Sequence, residues 1–181
     1  MAAGRVRGGA GGRGGVRPTA RRVRDALFNS LAARVQEAAV LDLFAGTGAL
    51  GLEALARGAR AVVFVERDAT MARRLRDHLR ATGLQAQAEV WRAPVATALR
   101  RLSEEGRRFD LILLDPPYGR GLLDLTLEAL AGGAMLAPGG RIVAEGHWRD
   151  APRLPEGLTL VRETRYGETA LWEYARRGAG A

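Results

Sequence analysis

Asp115-Pro116-Pro117-Tyr118 puts a carboxylate, two residues without an N–H donor and an aromatic ring in consecutive positions. The prolines have fixed φ and only carbonyls to offer, so with Asp115 the turn is a stiff, acceptor-rich cup. Such a cup suits a planar group that donates two hydrogen bonds, and the exocyclic amine of a nucleic-acid base is one. Its lone pair is delocalised into the ring. Acceptance of its two N–H hydrogens, by Asp115 and the Pro116 carbonyl, localises and aims that pair. Tyr118 offers a face for the base to stack on, a contact worth ~1–3 kcal/mol per base. For this tetrapeptide alone, the bland alternative is a proline-rich turn that ends a strand.

A second stretch, Asp42-Leu43-Phe44-Ala45-Gly46-Thr47-Gly48, supplies two glycines that with Gly51 satisfy Gly-x-Gly-x-x-Gly. Glycines in such a turn let a ligand approach the backbone where side chains would obstruct it. Glu66 closes the next strand-like run, where a carboxylate can accept both hydroxyls of a ribose. These features admit either a nicotinamide cofactor or S-adenosylmethionine. Two details favour the second. Asp42 is expected to point from its strand end toward the loop and meet an ammonium group, and Phe44-Ala45-Gly46 is the form of the loop associated with methyltransferases. The expected cofactor residues are therefore Asp42, Phe44, Ala45, Gly46, Thr47, Gly48 and Glu66. A sulfonium methyl donor is already activated, so alignment of methyl and nucleophile does most of the work and no metal is required. The two histidines are far apart in sequence: His78 reads as a surface residue, and His147, after the fifth strand, as a loop-packing residue or else one that borders the pocket.

These stretches need a scaffold, and the apolar pattern describes one. Val23, Leu27, Leu31 and Val35 recur at spacing four, predicting a helix with Thr19 as its N-cap. Beyond it, strands at Val40–Phe44, Ala61–Glu66, Ala88–Arg92, Phe109–Asp115 and Arg141–Glu145 alternate with helices. The helices run over Ala49–Arg57, Ala69–Ala81, the stretch up to about Leu102, and Leu122–Ala131. Pro138-Gly139-Gly140 reads as the turn into the fifth strand. This rhythm argues a mostly parallel, Rossmann-like α/β sheet with helices on both faces. Leu158–Tyr166 and Thr169–Ala175 meet across Gly167 without a helix, and predict a C-terminal antiparallel hairpin at the sheet edge. The expected division is a Gly/Arg-rich tail over 1–16 and one catalytic domain over 17–177.

Composition limits the chemistry. The chain has 181 residues, a net charge of +8, 28 basic residues (all arginine) and no cysteine. Thiolate nucleophiles, iron–sulfur clusters and zinc knuckles are thereby excluded. No apolar run approaches the ~18–20 residues that span a bilayer, and with no secretory signal the expected location is the cytoplasm. Seven of the arginines, and no acid, fall within residues 1–24. Such asymmetry fits a polyanionic partner, with Arg13, Arg17, Arg21 and Arg24 as candidate RNA contacts, or else a solvated tail.

Several segments together resemble one family. These are Arg17-Pro18-Thr19, the run Val23–Asn29, the run Leu41–Leu55, Asp115-Pro116-Pro117-Tyr118 and Tyr166-Gly167-Glu168-Thr169. They are similar to the small, single-domain bacterial 16S ribosomal RNA guanine-N2 methyltransferases, over roughly Arg17 to Tyr174. The resemblance implies the class I S-adenosylmethionine-dependent methyltransferase fold. It also implies a catalytic cup of Asp115, Pro116, Pro117 and Tyr118, and 16S ribosomal RNA or a small-subunit particle as partner of a monomer. Trp91-Arg92-Ala93-Pro94 offers no acid for the cofactor adenine, so no residue is assigned to it. The competing readings are an amino-methyltransferase of DNA or another RNA, and a non-enzymatic RNA-binding module.

Overall fold

A computed structural model describes residues 18–117 and 121–178. Arg13, Arg17 and Tyr118 lie outside the described residues. The helix α1 (Pro18–Ser30) is followed by a short α2 (Ala32–Val35), so the single predicted helix is broken at Leu31. The apolar stripe survives the break, since Val23, Leu27, Leu31 and Val35 are all buried. Thr19 falls within α1 and is not its N-cap, because the helix already includes Pro18, a residue suited to a first turn.

From there strands and helices alternate: β1 (Ala39–Leu43), α3 (Ala49–Ala56), β2 (Ala61–Glu66), α4 (Ala69–Ala81), β3 (Ala88–Arg92), α5 (Val95–Glu104), β4 (Phe109–Leu114), α6 (Leu122–Gly132) and β5 (Leu136–His147). The chain closes with β6 (Leu158–Tyr166) and β7 (Thr169–Arg176). They form one seven-stranded sheet in the order β3-β2-β1-β4-β5-β7-β6. The first five strands are parallel, and β7 enters antiparallel between β5 and β6. This is the mostly parallel α/β architecture with a terminal hairpin that the sequence pattern predicts.

The strands of β1, β2 and β4 are almost wholly buried, as expected where helices cover both faces. Residues of α1, α3 and α4, with Phe64 and Leu111, build one layer of the core. Leu99 and Leu102 of α5, Leu127 and Leu130 of α6, and Trp172 build the other.

Two strand features depart from expectation. Pro138-Gly139-Gly140 is not a turn before β5 but an irregularity inside it: Phe109 pairs with Leu136, yet Leu111 pairs with Arg141. Gly139, at φ 75°, absorbs the extra residues. In β6 the register shifts between Leu160 and Arg162, and this strand is largely exposed along the sheet edge. Among the described residues no helix is long and apolar enough to cross a membrane.

Candidate active site

Parallel strands bring their carboxyl ends to one edge of the sheet, the place where open α/β sheets bind ligands. The loop after β1, the end of β2, the turn after β3, the turn after β4 and the end of β5 therefore converge. They enclose a cavity of about 850 Å³ lined by Phe44–Thr47, Glu66, Asp68, Ala93–Val95, Asp115–Pro117 and Glu145, among others. The structure thus unites the glycine loop, Glu66 and the Asp-Pro-Pro turn around one space of ligand size.

The loop is held by specific bonds. Glu66 Oε2 accepts the Gly46 N–H at 2.8 Å, and Oε1 accepts the Asp68 N–H at 2.7 Å. Each carboxylate oxygen keeps a further lone pair for a ligand in the cavity. Phe44 takes φ 66°, a conformation that a bulky residue adopts only when its surroundings impose it. Gly46, at φ 54°, lines the cavity, and a Cβ there would meet only the Phe44 carbonyl oxygen, at 3.9 Å.

Asp42, Gly48 and Gly51 also hold the fold together beneath the loop. Asp42 is 1% exposed and is not part of the cavity wall. Its Oδ2 accepts the Gly51 N–H at 2.9 Å, tying β1 to the first turn of α3. Burial, with the charges of Asp115 and Glu66, raises its pKa to about 7, against the opposing effect of the Gly51 hydrogen bond. Gly48 is also absent from the wall. A Cβ there would meet Leu75 Cδ1 at 2.5 Å, at φ 82°, so packing against α4 requires the glycine. Gly51 likewise lets α3 lie against the Phe64 ring of β2.

Asp115 opens to solvent in the cavity, but the protein around its other sides desolvates it and raises its pKa. Pro116 is buried beside it, and Pro117 is exposed. Across these prolines lies a second cavity of about 260 Å³, whose wall includes Leu122, Asp124, Glu145, His147 and Asp150. Pro116, Pro117, Leu122 and Glu145 border both spaces. Asp124 Oδ1 accepts the Arg153 N–H at 2.8 Å and so holds the chain after β5 against the start of α6.

Glu145 is the cavity residue that sequence reasoning missed, whereas His147 borders the smaller cavity, one of the two places the sequence allowed it. The signal available for Glu145 was an acid ending the fifth parallel strand, the position Glu66 occupies on the second. Burial and the Asp115 charge raise the Glu145 pKa to about 7, with Arg24 opposing. Of the four candidate RNA contacts, Arg21 is exposed, 3.9 Å from Asp25, whereas Arg24 is drawn inward, 3.7 Å from Glu53. That placement makes Arg24 a partner of protein carboxylates rather than a free phosphate contact. Among the described residues no cluster of three or more His, Asp or Glu is arranged to hold a metal.

Residues 10–175 match the family described as Conserved hypothetical protein 95. The chain is 37% identical, over 167 residues, to Ribosomal RNA small subunit methyltransferase D of Escherichia coli K12, covering 92% of this chain and 82% of that protein. A solved Escherichia coli structure, yhhF, provisionally described as a methyltransferase, superposes with a TM-score of 0.77 at 36% identity over 86% of each chain. The Thermus thermophilus protein TTHA0928 superposes with a TM-score of 0.74 at 34% identity, over 94% of this chain and 95% of that one.

Proposed function

The chain belongs to the Conserved hypothetical protein 95 family, and from that premise we propose that it methylates the exocyclic N2 amine of a guanine in small-subunit ribosomal RNA, with S-adenosylmethionine as methyl donor. The observation that carries the reading is the shared cavity: the acceptor-rich Asp115–Pro117 turn opens on the same space as Gly46 and Glu66.

The residues present fit this cofactor. Glu66 has lone pairs free for the ribose hydroxyls, and Gly46 leaves the backbone of the loop accessible. Ala93, Pro94 and Val95 give an apolar flank of the kind an adenine ring needs. The carboxyl groups of Glu66, Asp115 and Glu145 face the cavity, with Asp42 beneath, and this concentration of acid favours a ligand carrying positive charge. S-adenosylmethionine is cationic at sulfur and at its amino group, and a nicotinamide dinucleotide carries phosphates that such a field repels. When bound, S-adenosylmethionine supplies a methyl group on a sulfonium sulfur.

The chain's own part is to hold and aim the amine. Asp115 and the Pro116 carbonyl accept its two N–H hydrogens and turn the nitrogen lone pair toward the methyl. As the new N–C bond forms, the nitrogen must lose a proton. Asp115, with its raised pKa, is positioned to take it. The base must leave its stack to reach the turn, which costs a few kcal/mol if it starts paired. The arginine-rich segment before α1 supplies phosphate contacts to the same RNA, and the ribosomal substrate goes with a cytoplasmic location.

Transfer of labelled methyl from S-adenosylmethionine to total RNA, DNA and protein, followed by digestion and mass spectrometry of small-subunit RNA, tests the reading. The expected product is N2-methylguanosine. Label on adenine, cytosine or a protein amide overturns the substrate, and RNA binding without transfer leaves a binding module.

A further inference from the structure

The smaller cavity lies where an acceptor base would enter, and its chemistry differs from that of the larger one. In the β4–β5 pairing Leu114 is registered with Ala144, so Asp115 and Glu145 are the next residues on two neighbouring parallel strands. Adjacent strands lie about 4.8 Å apart, so two carboxyl groups neighbour each other on the wall of the larger cavity, and Glu145 also borders the smaller one. Two neighbouring acceptors match two neighbouring donors. Guanine alone among the four RNA bases offers them, as N1–H beside the N2 amine. Adenine and cytosine each set an acceptor ring nitrogen beside their amine, and uracil has no amine.

We propose that Glu145 reads guanine by accepting its N1–H while Asp115 holds the N2 amine, an inference that rests on the function proposed above. The Glu145 carboxyl is half-buried, and among the described residues no hydrogen bond within the protein satisfies it. A donor arriving with the substrate would supply one. His147, on the wall of the same cavity, has its Nδ1 accepting the Arg149 N–H at 3.2 Å. The neutral ring then carries its proton on Nε2, a donor complementary to guanine O6. Asp115 on the larger cavity, Glu145 on both and His147 on the smaller therefore offer acceptor, acceptor and donor, the complement of the guanine Watson–Crick edge.

The test begins with the methylated nucleotide, located by digestion and mass spectrometry of small-subunit RNA. Two synthetic RNAs carrying that site are then compared, one with guanine and one with 2-aminopurine, which keeps the amine but has neither a hydrogen on N1 nor the O6 oxygen. Wild type should lose roughly ten- to hundredfold or more in kcat/KM on 2-aminopurine, since the bond from N1–H to a charged group accounts for that factor and the O6 contact goes with it. Glu145→Ala should lose roughly ten- to hundredfold on guanine and little on 2-aminopurine, so the preference narrows by that factor to the share owed to O6. Glu145→Gln, which keeps a neutral acceptor, should fall between. Calorimetry with S-adenosylmethionine checks that both variants remain folded and bind the cofactor within a few-fold of wild type. An unchanged guanine preference in both variants overturns the role of Glu145 alone. A methylated nucleotide other than guanine overturns the proposed function and this inference with it.

Discussion

The Glu66 carboxylate accepts the Gly46 N–H at 2.8 Å, so the acid that ends β2 holds in place the loop that follows β1. Glu66 therefore shapes the cavity as well as lining it. Glu66→Ala should weaken S-adenosylmethionine binding by ~1.5–3 kcal/mol or more, since charge-assisted bonds and loop order are lost together. Glu66→Gln keeps one acceptor and should fall between wild type and the alanine variant. Calorimetry measures both. Tight binding of NAD with none of S-adenosylmethionine would remove the basis of the cofactor assignment.

Asp42 predicts a pH dependence. Its pKa rises from 3.8 to about 7 on folding, so the folded state holds a proton that the unfolded state releases between these values. The resulting stabilisation is complete below the unfolded value and is lost as pH rises through about 7. Asp42→Asn keeps an acceptor for the Gly51 N–H but cannot ionise. The variant should therefore gain stability relative to wild type between about pH 5 and about pH 8, as read by thermal unfolding. Parallel stability curves would show that Asp42 does not titrate in this range.

Asp115 faces the cavity, and it is the acceptor proposed for the amine. Asp115→Ala should abolish methyl transfer yet leave S-adenosylmethionine affinity nearly intact. Transfer by the wild type should also decline as pH falls, at a pH above the ordinary aspartate range, because burial raises the Asp115 pKa. Near-normal turnover in Asp115→Ala would refute the mechanism.

Gly51 separates packing from ligand approach. A Cβ there would press into the Phe64 ring and lie 2.9 Å from Val62 Cγ1. Gly51→Ala should therefore destabilise the protein by ~1–3 kcal/mol, the usual effect of overpacking a close-packed core. Denaturant unfolding measures it. A neutral result would mean that α3 can move off β2 without loss.

The basic segment before α1 is tested by salt. Deletion of residues 1–16 should weaken RNA binding and reduce the slope of log affinity against log salt by ~0.7–0.9 for each phosphate no longer neutralised. Arg24→Ala should act differently, because Arg24 lies against Glu53 and opposes the raised pKa of Glu145. It should leave the slope almost unchanged and cost stability instead. An unaltered slope after the deletion would return the segment to a solvated tail.

The scaffold was legible because strand and helix periods rest on burial, and burial follows directly from the order of apolar residues. Val40–Leu43 and Leu111–Leu114 read as buried strands and are buried strands. The site was legible only in part. Glycine spacing correctly indicated a tight loop, but it could not separate Gly46, which faces the cavity, from Gly48 and Gly51, which face Leu75 and Phe64. Those contacts join residues far apart in the chain, and no local pattern reports them. Glu145 was missed for the same reason: its position beside Asp115 depends on the register of β4 against β5, which the irregularity at Gly139 shifts. The break at Leu31 also lay beyond reach, because the apolar stripe continues through it.

The outermost strand β6 has a bearing on how the molecule behaves in a crowded solution. An open sheet edge is a row of unused donors and acceptors on which another polypeptide can add a strand. Here Leu160 and Val161 are exposed on that edge, a combination prone to self-association. The register shift between Leu160 and Arg162 interrupts the ladder at that point, and Arg162, Glu163 and Arg165 are exposed charges along the remainder. Any incoming strand would have to bridge an irregular backbone and bury charge, so the edge that could seed aggregation is a poor template for it.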